Sequence, residues 1–573
     1  MAEASPNGDC RPTDPRRAPS QTITIPGDVL ARHGLRILDP STCVRDWNGR
    51  RPESTVYRAD TLLIPVRDAE SFRPDRNDYD PVLEGLGIRL RPPDDPRWRE
   101  RLGALPNQRS VPVPLVARDP IGREAPDPWA ALVALRTRFP RERGQGVVLD
   151  HGVYSAAVQG APFSGGGSVG TPFSGGGGLG DPQSMTSGLT LYTGSRNPVQ
   201  FLGAPPVRPP AKSLAGGRRP VVAVLDTGIG RHPWLTIGDR GSTGYDPYVP
   251  IGDMTTDPVV EVSLAFQQAL AAADIATATA SGTTATDPLD SPCEVRDWID
   301  PLLGLTDSHA GHGTFVTGLI HQVCPQARVL SLRVLHSDGF STEGSLLFAL
   351  EWLRQRVAAA QSNNRPDELV DVVSLSLGFY AETATPDELG QVADAVRRLT
   401  DLGVLVIAAA GNDATTRPFL PAALGLGNEM LAAVGARNAS GITTAAFSNW
   451  GEWISRWAPG NAMVSTVPVW QGPREGGLVY PDAGGLGPRW RTAPDDDDLT
   501  TGFAVWAGTS FATPVVSATV ALQIATSGGL TMPRGSVEQA MALMSKVDER
   551  LIGHGWMDQP DVPAEVSAAG LSG

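Results

Sequence analysis

Three short stretches supply an acid, a base and a nucleophile: Val224-Leu225-Asp226-Thr227-Gly228, Gly311-His312-Gly313-Thr314 and Gly508-Thr509-Ser510-Phe511-Ala512-Thr513-Pro514. A serine hydroxyl is a poor nucleophile at neutral pH. It needs an imidazole to take its proton and a carboxylate to hold that imidazole in the right tautomer. Asp226 ends the apolar run Val221-Val222-Ala223-Val224-Leu225, which suits a strand buried on both faces of a parallel sheet. Sites in open α/β sheets lie at the carboxyl ends of such strands. His312 precedes an apolar stretch that reads as a buried helix. Ser510 opens another, 511–524, with Pro514 expected in its first turn. A helix N-terminus there would favour a developing oxyanion.

In the chain order Asp, His, Ser, these motifs resemble the subtilase family of serine endopeptidases over about 219–526. The resemblance implies that Ser510 attacks, His312 acts as base and Asp226 supports the imidazolium. It also implies that Asn412, at the end of 404–413, donates its side-chain amide to the oxyanion beside the Ser510 N–H. One such donor is worth about 2.7–4 kcal/mol of transition-state stabilisation.

The same resemblance gives Ser376, Leu377 and Gly378 as a substrate-pairing edge and one wall of the S1 pocket, with Ala409, Ala410 and Gly411 as the other wall. Gly339 and Phe340 belong to a second edge, near S4. Counting back from Pro421 puts Phe419 at the S1 floor, where an aromatic ring favours small or medium apolar P1 residues. A peptide between two edges binds by β-augmentation. The implied function is a serine endopeptidase, selective in processing, acting on polypeptide substrates. An ester-cleaving acyl hydrolase and a protein-interaction module with secondary proteolysis are the alternatives. No organic cofactor is needed. Asp495-Asp496-Asp497-Asp498 raises a structural calcium, but a consecutive acidic run reads first as a solvated loop; no metal ligand set is assigned. Asp307 and His309 lie near enough to His312 to line the cleft.

The elements that must position these groups alternate. Strand signals at Val221, Val329, Val372, Val404 and Leu431 are interleaved with helical stretches over 342–360, 386–402 and 510–524, and a last helix starts near Ser536 with Gln539 closing a capping box. The fold class is therefore α/β: a subtilisin-like, mostly parallel sheet with helices on both faces, plus a small N-terminal α/β domain.

At 573 residues the chain exceeds one domain. The division reads as a disordered N-terminus over 1–21, a small α/β domain over 22–153, a Gly/Pro-rich linker over 154–214, a catalytic domain over 215–560 and a tail over 561–573. The small domain has strands at 54–66, 87–90 and 111–117 and a helix starting at Asp127-Pro128. Its place ahead of a subtilase-like unit suggests an intramolecular inhibitory prodomain, or else a recognition domain. The linker repeats Pro-Phe-Ser-Gly-Gly-Gly at 162 and 172. Two insertions, 236–305 and 470–503, precede catalytic motifs and could border the cleft; in the first, 259–275 reads as a helix and 276–286 as a small-residue loop.

A net charge of −14 argues against nucleic-acid binding, which needs clustered Lys and Arg. No signal-like or membrane-spanning apolar run is seen, so a cytoplasmic location without membrane contact is expected. Cys10, Cys43, Cys293 and Cys324 lack metal spacing and read as free thiols.

Overall fold

The computed structural model describes residues 25, 27–66, 79–91, 109–119, 125–139, 146–157, 196–215, 217–239, 257–282, 287–294, 298–299, 306–383, 390–472, 478–479, 491–492, 498–527 and 542–548. Among them, eight strands form one wholly parallel sheet. The order is Arg456–Pro459, Leu431–Arg437, Leu405–Ala409, Val372–Leu375, Val221–Asp226, Arg328–Arg333, Val260–Val262, Ile237–Asp239.

Parallel strands joined by crossovers must bury both faces, and the alternation along Val221–Asp226 does so. Val221, Ala223 and Leu225 enter one core with Phe266, Phe348 and Val396, which belong to the helices Leu264–Ser281, Glu343–Ser362 and Gly390–Thr400. Val222 and Val224 enter the other core with Phe315 and Phe511, from His312–Val323 and Thr509–Ser527. The two helices that carry His312 and Ser510 thus share one face of the sheet. Asp226 reaches them from the strand beneath.

Residues upstream of the parallel sheet build a second, antiparallel one. Ile88–Leu90, Ser110–Ala117, Val56–Pro65 and Val148–Ser155 pair in that order, with Leu35–Ile37 also on Val56–Pro65. The helix Pro128–Arg138 packs Trp129, Leu132 and Leu135 into its core; Asp127 caps it by accepting the Trp129 N–H.

Several expectations change. Residues 154–157 are not linker: the last strand runs to Ser155, and Ala157 bridges to Gly508. Residues 196–214 are held down as well. Asn197–Pro198 pairs with Phe503–Trp506, and Arg208 donates to the carbonyls of Pro325, Asp257, Pro258 and Ala327. Within the first insertion Val260–Val262 is a strand, and the helix that follows extends to Ser281, where Gly282 at φ 81° ends it. This region supplies two sheet strands as well as surface. Pro514 is the sixth residue of its helix, beyond the first turn. The tandem Pro-Phe-Ser-Gly repeat, Asp495 to Asp497, Cys10 and the helix start at Ser536 lie outside the described residues; 542–548 are helical. Cys43, Cys293 and Cys324 are free thiols. Among the described residues, no helix is long and apolar enough to cross a membrane, and no group of His, Cys, Asp or Glu is arranged to hold a metal.

Candidate active site

The strand Val221–Asp226 delivers its last side chain to the helix opened by Gly311. Asp226 Oδ1 accepts from its neighbour's Thr227 N–H at 2.7 Å and lies 2.6 Å from His312 Nδ1. Close approach of helix to strand depends on Gly313, because a Cβ there would fall 2.2 Å from the Gly228 carbonyl oxygen. Thr227 Oγ1 accepts the Gly313 N–H, and the Glu294 carboxylate accepts the Gly311 N–H. Neither Thr227 nor Glu294 was singled out from sequence. The rings of Phe511 and Trp506 stand 5.3 and 5.5 Å from that of His312, and all three of Asp226, His312 and Ser510 are buried.

Ser510 lies at the start of its helix. Because Pro514 has no N–H to return to the Ser510 carbonyl four residues back, that oxygen needs another donor. Ser376 Oγ supplies it at 2.8 Å. The Ser510 hydroxyl itself donates to the Ser376 carbonyl at 3.0 Å, while His312 Nε2 has Ser155 Oγ at 3.2 Å. His312 and Ser510 therefore each face a different partner.

Asn412 is aimed by Thr509, whose N–H and hydroxyl both donate to Asn412 Oδ1, at 2.9 and 3.0 Å. With its oxygen so engaged, the amide points Nδ2 at the carbonyl of Ala156. The Ser510 N–H donates to that same oxygen at 3.0 Å. Two donors from separate elements converge on one carbonyl.

That carbonyl belongs to the strand that leaves the N-terminal sheet. Val148–Ser155 runs antiparallel between both expected edges: Phe340, Ser341 and Thr342 pair with Tyr154, Val153 and Gly152 on one side, and Leu377 and Gly378 pair with Ser155 and Tyr154 on the other. Gly339 accepts the Ser155 N–H and Ser376 accepts the Ala156 N–H through their carbonyls. Gly339 and Phe340 thus meet residues 155 and 154. Phe419 is fully buried against both glycine walls. A Cβ on Gly378 would lie 2.4 Å from its ring and one on Gly411 3.1 Å from it. Ala409 and Ala410 are fully buried at the end of the Leu405–Ala409 strand.

Charged groups secure the strand's approach. Arg32 reaches both Asp307 and Asp338, and His33 Nε2 lies 2.7 Å from Asp338. Burial would raise the Asp338 carboxyl, but His33 and Arg32 hold it down at about 2. Burial, and then the His312 charge, push His309 down to about 3, leaving it a neutral neighbour. His151 sits between Glu343 and Glu382 at 2.6 and 2.7 Å. Burial alone would lower its pKa, but Glu382 and Glu343 together lift it to about 10.

This last shift sets a pH dependence. A histidine whose value rises from 6.5 to about 10 on docking contributes fully below pH 6.5 and loses that contribution as pH climbs towards 10. Asp150, raised by burial to about 6, acts in the same direction but is spent below pH 6. His33, lowered mainly by burial, opposes docking only in acid. An uncut Ser510→Ala chain should lose up to ~3 kcal/mol of stability between pH 6.5 and 9 at ~1.4 kcal/mol per pH unit. Thermal melts would show a fall of several degrees, and His151→Gln should flatten it.

A family model described as the subtilase family matches residues 217–550. A thermophilic serine proteinase of Bacillus sp. (strain AK1) is 32% identical over 166 residues, 27% of this chain and 36% of that protein. Subtilisin BL of Lederbergia lenta is 33% identical over 172 residues, 28% of this chain and 55% of that protein. The matched stretches thus span from about a third to just over half of these relatives' length. A crystal structure of a cold adapted subtilisin-like serine proteinase covers 57% of this chain and 81% of its own, at 20% identity and a TM-score of 0.32.

Proposed function

The chain belongs to the subtilase family, and from that premise we propose that it is a serine endopeptidase whose first substrate is its own Ala156–Ala157 bond. One observation carries the reading: the Ala156 carbonyl accepts from both the Ser510 N–H and Asn412 Nδ2 while residues 152–155 pair with both cleft edges. In the family's nomenclature Ala156 is P1, Ser155 P2 and Ala157 P1′.

Ser510 Oγ attacks the Ala156 carbonyl carbon as His312 Nε2 takes its proton. Asp226 holds the imidazolium by its Nδ1–H. The oxyanion is met by the two donors already aimed at the carbonyl, so no reorganisation is needed as charge develops. Collapse expels the Ala157 amine, which receives the proton from His312. Water then hydrolyses the ester between Ser510 and Ala156 by the reverse relay. Asn412→Ala should cost about 10²–10³ in kcat.

Until it departs, the strand Val148–Ser155 with Ala156 occupies the cleft, which favours an inhibitory prodomain over a detached recognition module. Backbone pairing along two edges favours peptides over simple esters. The test is to follow the purified full-length chain by mass spectrometry: new termini at Ala156 and Ala157 are expected, followed by rising hydrolysis of an Ala-Ala peptide. A chain that is fully active while uncut would overturn the self-processing part. One that stays uncut and inactive on every peptide would overturn the peptidase.

Phe419 supports a shallow S1 suited to the small P1 that the chain itself offers. Replacing it by alanine removes a ring packed against Gly378 and Gly411. The expected cost is about 3–5 kcal/mol of stability. The gain is a tenfold or greater shift in kcat/KM towards P1 Leu or Phe over Ala, read from a P1-varied peptide library.

A further inference from the structure

The cleft holds more of the strand than the reaction needs. Beyond the last paired residue, Gly152, the side chain of His151 is seated in a closed pocket: Nδ1 lies 2.6 Å from Glu343 Oε2 and Nε2 2.7 Å from Glu382 Oε2. Its ring stacks on Phe379 at 4.6 Å between centroids and 19° between planes. All three ionisable side chains are buried, at 2–4% exposure. Glu343 opens the helix Glu343–Ser362, and Glu382 follows the edge strand Leu377–Gly378. Both therefore belong to the part of the chain that remains when the N-terminal sheet leaves.

Two buried carboxylates facing each other need a cation between them, because an unpaired charge in a dry site is costly. Here that cation is the strand's own imidazole, held as imidazolium by its two partners. Arg136 and Arg58, the nearby positive charges that act on Glu382 and Asp150, come from the N-terminal unit and depart with it. What remains is a pair of carboxylates beside an aromatic face, a setting that suits ammonium, guanidinium or imidazolium groups.

We propose that Glu343 and Glu382 form an S6 subsite that selects protein substrates carrying a basic side chain five residues upstream of the cut residue. Register makes the distance specific. The pairing of Gly152, Tyr154 and Ser155 with the two edges puts residue 151 between the glutamates whenever residue 156 has its carbonyl on Ser510 and Asn412. A substrate bound in that register brings its own P6 side chain to the same place. An acidic P6 residue would meet two like charges. The subsite rests on the peptidase reading and on Ala156 as P1.

The test uses the full-length chain after it has converted itself and a fluorogenic peptide series with the sequence of residues 150–158, varied only at P6 to Arg, norleucine and Glu. Arg should exceed norleucine by tenfold or more in kcat/KM, and Glu should fall below norleucine by a similar factor. In the Glu343→Gln, Glu382→Gln double variant the three peptides should be cut at comparable rates. Equal rates for all three peptides with the unaltered enzyme would overturn the subsite while leaving the peptidase intact, and this holds even if the double variant fails to fold. No cleavage of any peptide would overturn the peptidase reading and the subsite with it.

Discussion

Replacing Ser510 by alanine should leave the chain uncut at Ala156–Ala157 and lower kcat on peptides by about 10⁶-fold, the scale on which subtilisin-type nucleophiles contribute. The effect is this large because the hydroxyl is the only group of the triad that forms the new bond. The rest of the machinery should survive the change. Ser510 contributes its N–H to the Ala156 carbonyl and its own carbonyl to Ser376 Oγ through the backbone, and both persist in alanine. The one lost contact is the hydroxyl's donation to the Ser376 carbonyl, which still accepts the Ala156 N–H. The variant should therefore fold, keep its N-terminal strand in the cleft and migrate as one chain of full mass. Mass spectrometry of purified protein reads the first outcome and peptide hydrolysis the second. An alanine variant that still generates the Ala157 terminus, in a preparation free of other proteases, would take Ser510 out of the reaction.

How much of this is legible in the sequence depends on how local each signal is. The run ending at Asp226 announces a doubly buried strand, and the helices after His312 and Ser510 declare themselves through apolar stretches and glycines, so the elements that carry Asp226, His312 and Ser510 are readable one motif at a time. The strand Val148–Ser155 is different. Nothing within residues 148–157 says that their partners lie near positions 340 and 377; antiparallel pairing across that separation is a tertiary event, and a boundary at 153 cut the strand short of its functional end. The pair Glu343 and Glu382 was invisible for the same reason.

The stretch 276–281 failed for another cause. Its alternating Ala and Thr resemble a loop in composition, yet alanine is the best helix former, and Thr277 and Thr279 return their hydroxyls to the carbonyls of Ala273 and Ile275. Phe419 stands between these cases. Counting back from Pro421 singles it out, whereas its packing against Gly378 and Gly411 is a tertiary contact.

Asp226→Asn should lower kcat by about 10⁴ with little change in KM, although it alters no shape. Asp226 Oδ1 accepts from the Thr227 N–H and faces His312 Nδ1 at 2.6 Å. As a carboxylate it can accept only, which makes Nδ1 the protonated nitrogen and leaves Nε2 free to take the Ser510 proton. One oxygen serves both contacts, so an asparagine either puts its NH₂ there and faces the ring with a donor, which moves the ring proton to Nε2, or keeps its oxygen there without the negative charge that supports the imidazolium; in both cases His312 is a poorer base. The oxyanion donors and both cleft edges are untouched, so substrate should bind as before. Self-cleavage should slow in parallel with peptide hydrolysis, since both use the same imidazole. Steady-state kinetics give the split between kcat and KM, and a variant whose KM rises while kcat holds would show that Asp226 serves the architecture of the cleft instead of the tautomer of His312.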